Sequence, residues 1–100
     1  MTDATDVQAR CEPAPDGWQC QVTVRDATGE SRHDVTVSSA DAEDLGVAHD
    51  PRHVQRVVEE AFDFLLEREP KESILRTFDL SVISRYFPEF EHEIRSRLAP

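Results

Sequence analysis

Glycine is scarce in this chain. Only Gly17, Gly29 and Gly46 occur among 100 residues, so no Walker or G-x-G-x-x-G phosphate cradle can be assembled, and no G-x-S-x-G nucleophile elbow is present. Lysine is almost missing, with one Lys against ten Arg, a bias that a GC-rich genome or a salty cytoplasm produces. No apolar run exceeds three or four residues, which rules out a membrane-spanning helix. The opening MTDATD is acidic and polar, unlike a secretory signal, and the expectation is a cytoplasmic protein with residues 1–5 disordered. Cysteine is confined to Cys11 and Cys20. In a cytoplasmic chain such a pair is expected to be reduced and packed in the core.

What the chain has in quantity is acid. Twenty-one Asp and Glu stand against eleven Lys and Arg, a net charge of −10. The excess is uneven: residues 1–50 hold eleven acids and three Arg, net −8, and residues 51–100 hold ten acids and eight bases, net −2. Nucleic-acid binding draws on positive charge through counterion release, so a field of this sign repels it at long range. Apolar residues make up 38% of the chain and seven residues are aromatic, enough for the core of one small domain.

The first half alternates. Val7, Ala9 and Cys11 share one parity, and Trp18, Cys20, Val22 and Val24 share another. Between them Ala14-Pro15-Asp16-Gly17 suits a β-turn. Closing a hairpin there pairs 13 with 18, 11 with 20, 9 with 22 and 7 with 24, all apolar or small and all on one face. Cys11 and Cys20 thereby fall opposite each other on the buried side. A second turn at Thr28-Gly29 sets Cys20 opposite Val37, Val22 opposite Val35 and Val24 opposite His33. The spacing predicts three strands, about 6–12, 18–26 and 31–38, with Gln19, Gln21, Thr23, Arg25, Arg32, Asp34, Thr36 and Ser38 on the wetted face.

The second half changes period. Ser39 and Gly46 bracket a short helical turn. Asp50-Pro51 then caps and starts a helix over about 51–68, in which Val54, Val57, Val58, Ala61, Phe62, Phe64, Leu65 and Leu66 recur at helical spacing. Proline and Asp79 punctuate the remainder of the chain into short helices of about 71–76, 80–87 and 88–98. The prediction is an α+β domain, an antiparallel three-stranded meander followed by helices.

Several patterns invite chemistry. Segments 71–76 and 80–87 have the outline of a helix-turn-helix, but the second would expose mainly Ser81, Ser84 and Arg85, too little for reading DNA. The stripe Ile74, Leu75, Phe78, Leu80, Ile83 reads as the lid of the core. His49 and His53 are four apart, yet Pro51 places His49 outside the helix, so the metal-binding geometry fails; the histidines are expected at the surface. Glu89, Glu91 and Glu93 suit the dipole of the last helix. Neither thiol has a Lys or a helix N-terminus to activate it. No catalytic residue, metal ligand or cofactor is predicted, and the chain is read as a non-enzyme.

Two resemblances add to this. The run FDFLLEREPKESILRTFDLSVISRYFPEFE, residues 62–91, resembles a stretch found in small uncharacterised prokaryotic proteins, which implies a prokaryotic, cytoplasmic origin and no particular activity. The layout from Glu12 to Leu66 is similar to HicB-like antitoxins, which set a partial RNase H-like sheet beside a helix. The proline-glycine segment of that family is replaced here by RDATGE, and no basic tail follows.

Nine large apolar side chains between residues 73 and 91 exceed what one small sheet is expected to cover. The surplus is expected as an exposed patch built from Phe64, Tyr86, Phe87 and Phe90, through which the chain binds itself or another protein. An antitoxin-like inhibitor of a basic partner is the first alternative. A small enzyme, with a deep pocket joining His33, Cys11 or Cys20 to carboxylates, is the second.

Overall fold

The first turn fixes the sheet. In the computed structural model, which describes residues 5–47 and 50–99, strand β1 (Asp6–Ala14) pairs antiparallel with β2 (Gly17–Asp26), with Cys11 opposite Cys20 and Val7 opposite Val24. This is the register that the apolar parity demands. Gly17 lets the chain at Val37 lie against this turn: a Cβ there would collide with the Val37 carbonyl oxygen. Trp18, Cys20, Val22 and Val24 are buried and Gln21 is exposed.

Strand β3 (Gly29–Ser38) completes the meander in a register two residues from the expected one. Asp26 pairs with Gly29, Val22 with His33, Cys20 with Val35 and Trp18 with Val37. The turn is Ala27-Thr28, because the Asp26 carboxylate accepts from both the Thr28 amide (2.8 Å) and its hydroxyl (2.7 Å), an Asx turn one residue earlier than Thr28-Gly29. A shift of two keeps every side chain on its face.

Helix α1 (Ser39–Asp44) is capped by the Ser38 hydroxyl, not by Ser39, and ends beside Gly46 at φ +75°. Helix α2 (Pro51–Leu66) starts as its sequence dictates: Asp50 accepts from the Arg52 amide and Pro51 occupies the first turn. Its apolar stripe, from Val54 to Leu65, is buried. Its flank does something the periodicity did not reveal. Gln55 and Glu59 accept from the Cys11 and Ala9 amides, each at 3.1 Å, and so close the outer edge of β1.

After a single 3-10 turn (Lys71–Ser73), the expected helix 71–76 does not form. The chain extends into β4 (Thr77–Asp79), which joins β3 in parallel and gives a four-stranded sheet of order β1-β2-β3-β4. Helices α3 (Val82–Tyr86) and α4 (Phe90–Leu98) follow. The architecture is α+β, with the three-stranded meander extended by β4. With an extended strand in place of the first helix, residues 71–87 do not form the helix-turn-helix outlined by the sequence. Among the described residues no helix is long and apolar enough to cross a membrane.

Candidate functional site

The four aromatic residues expected at a partner surface separate in the fold. Phe64 is fully buried and Phe90 nearly so, which corrects that expectation for both. The reason is α4, which folds back over α2 and stacks Phe90 edge-on against Phe64 at 5.1 Å. Arg68 closes the other side, its guanidinium carbon 3.6 Å from the Phe64 ring centre and its Nη1 donating to the Phe64 carbonyl at 3.0 Å. Phe87 is half-buried against Phe64, 5.8 Å between ring centres. Tyr86 is 69% exposed.

Leu75 departs the opposite way. It was expected in the core lid and is 51% exposed. Ile74 is in extended conformation, and where the backbone is extended consecutive side chains point to opposite sides. Ile74 therefore turns inward while Leu75 faces out. Ile74, Phe78, Leu80 and Ile83 are buried as a lid requires.

Leu75 and Tyr86 border one hollow of about 270 Å³. Leu65 of α2 and Glu69 just after it line the hollow, together with Phe78 of β4, Val82 and Ile83 of α3, and Phe87. Its placement depends on Asp79, whose carboxylate accepts from the Ser81 amide (3.1 Å), the Ser81 hydroxyl (2.5 Å) and Thr36 Oγ1 (2.8 Å), tying α3 to β3. Partial burial pushes the Asp79 carboxyl up, but the hydrogen bonds from Ser81 and Thr36 outweigh it, and its pKa lies below the ordinary value. The walls are apolar, with Glu69 and Ser73 as the polar lining groups.

The residues weighed for catalysis are committed elsewhere. Cys11 and Cys20, expected as reduced thiols, are joined in a disulfide across β1 and β2, with Cα atoms 4.1 Å apart. They form a non-hydrogen-bonded pair, the closer of the two antiparallel pair types; the expected register already set them face to face, and only the assumption of a reducing compartment argued against a bond. His33, expected at the surface, is buried against Phe62 at 5.2 Å. Its Nδ1 lies 2.8 Å from the Leu75 carbonyl oxygen, which can only accept, so Nδ1 donates there, and Nε2 shares a hydrogen bond with the Ser31 hydroxyl at 2.8 Å. His53 and His92 are exposed. His49 lies outside the described residues, as do residues 1–4 of the segment expected to be disordered.

A second, polar hollow of about 500 Å³ lies beside His33 and Lys71. Nothing in the sequence pattern singled out Lys71, the chain's single lysine. It is buried, with Nζ 3.0 Å from Asp26, 2.5 Å from Glu72 and 2.5 Å from Thr28 Oγ1. Hydrogen bonds to Glu72 and Asp26 raise its pKa. It ties the β2–β3 turn to the segment after α2. Among the described residues no group of three or more His, Cys, Asp or Glu is gathered as a metal site.

Compared with protein-family models, curated proteins and solved structures, the chain matches none.

Proposed function

We propose that the domain is a non-enzymatic protein-interaction module that takes a partner's apolar side chains into the groove between α2, β4 and α3. One observation carries this reading: among the described residues the large apolar side chains left exposed, Leu75 at 51% and Tyr86 at 69%, border the same hollow. Exposed apolar surface gathered at a concavity is the usual mark of a docking site. At about 270 Å³ the groove falls below the range of pockets that enclose drug-sized ligands and suits one or two side chains. Catalysis is disfavoured by how the candidate groups are bonded: both sulfurs are joined to each other, and both nitrogens of the buried imidazole hold structural partners.

A second reading, an antitoxin-like inhibitor of a basic partner, draws on the net charge of −8 in residues 1–50. Such a partner would meet the wetted sheet face and α1 instead of the groove. Capture from native extract separates the two. Leu75→Asp and Tyr86→Asp change exposed side chains, so the fold is retained; they are expected to abolish partner capture, while Glu12→Lys and Glu43→Lys leave it intact. Loss with the charge reversals and retention with the groove substitutions would overturn the groove reading in favour of the second.

A further inference from the structure

We infer that the occupant of the groove is a second copy of this chain, the two copies meeting about a two-fold axis with Tyr86 of each seated in the hollow of the other. This rests on the reading of the groove as a docking surface and names what fills it. A two-fold interface demands a patch that complements itself. Here the projecting aromatic and the hollow that can receive an aromatic lie side by side, because Tyr86 is both exposed and on the rim. Tyrosine suits the role, being large, restricted to two side-chain torsions and amphipathic.

Charge favours the same face. Two copies of net charge −10 repel wherever their acidic surfaces meet. The groove lies in the less acidic half of the chain, net −2 over residues 51–100, and Glu69 is the charged residue among its lining groups. Residues 1–50 carry the other −8. A basic partner finds a single lining carboxylate here, and a second copy meets less repulsion here than on the acidic N-terminal half. Glu69 lines the hollow and Arg85 is exposed on α3 next to Tyr86. Neither has an ion-pair partner among the described residues. Entry of Tyr86 into the partner's hollow carries Arg85 toward the partner's Glu69, and the two-fold axis makes that contact twice. Pairing through the β1 edge, the common alternative for a small sheet, is closed off by Gln55 and Glu59.

Sedimentation of the full chain from micromolar to near-millimolar concentration tests this, with anilinonaphthalene sulfonate as a probe of the groove. The wild type is expected to move reversibly from 11.4 kDa to twice that mass. Tyr86→Asp is expected to stay monomeric with unchanged circular dichroism. Glu69→Arg is expected to weaken dimerisation at least tenfold by opposing two arginines, and Glu69→Arg with Arg85→Glu to restore it. A dimer indifferent to Tyr86→Asp, or one that the double reversal fails to restore, would overturn the inference. A wild type that stays monomeric throughout also overturns it. In that case, probe binding that Tyr86→Asp abolishes leaves the groove reading standing, and absence of probe binding removes both.

Discussion

Lys71 and Asp26 show how much can hang on two side chains. Hydrogen bonds from the Thr28 hydroxyl, from Lys71 and from the Thr28 amide pull the Asp26 carboxyl down from 3.8 to about 2. A carboxyl whose folded pKa is depressed contributes stability that is fully present above its unfolded value and lost as pH falls through the folded one. The stability difference between the wild type and Asp26→Asn is therefore expected to hold above pH 4 or so and to shrink toward about pH 2, read by urea unfolding at each pH. A difference that does not vary with pH would mean that Asp26 does not act through its charge. The disulfide works on the unfolded chain instead. Closing a loop with a sequence separation of 9 should contribute about 2–3 kcal/mol by restricting the denatured ensemble. Dithiothreitol is expected to lower the unfolding midpoint of the wild type and to leave Cys11→Ala/Cys20→Ala unmoved; equal midpoints for the wild type with and without reductant would contradict the bond's contribution. Neither feature was fully legible in the sequence. Opposed cysteines could be read from parity, but their oxidation depends on compartment, and a lone lysine gives no sign of which carboxylates will surround it.

Elements with strong local signals were readable: the first hairpin from its turn and alternation, and α2 from Asp50-Pro51 and its apolar stripe. The second hairpin slipped by two residues because Asp26 and Thr28 outcompete Thr28-Gly29 for the turn, a side-chain effect that alternation cannot register. Strand β4 was missed because three residues in parallel pairing carry no period of their own and are stabilised by β3, more than forty positions away in the chain. That miss also hid the groove, since only an extended chain at Ile74 turns Leu75 outward. The flank of α2 shows the same dependence on tertiary context. Gln55 and Glu59 lie off the apolar stripe of α2, yet they satisfy two edge amides of β1. Glu59→Ala is expected to destabilise by about 1–2 kcal/mol in urea unfolding and to promote edge-to-edge aggregation. Glu59→Gln, which keeps an acceptor, should cost much less; equal losses for the two would show that the hydrogen bond to Ala9 does not matter.

On the scale of the whole molecule, α4 is what decides how much apolar surface stays outside. It covers Phe64 with Phe90, so the surplus expected from the sequence contracts to Leu75 and Tyr86 around one hollow. The charge is divided as well: an N-terminal half of net −8 and a second half, which holds the groove, of net −2. An interface of that kind relies on apolar burial and two symmetric ion pairs, and raising the salt should weaken it only modestly. Amide hydrogen exchange as a function of protein concentration tests the claim most directly, because it locates the covered surface without altering a residue. Protection is expected to rise with concentration over residues 74–76 and 82–87 and to stay constant along the solvated face of β1–β3. Protection that rises on the sheet face instead would contradict the groove as the place where two copies meet, and protection that rises nowhere would contradict their association.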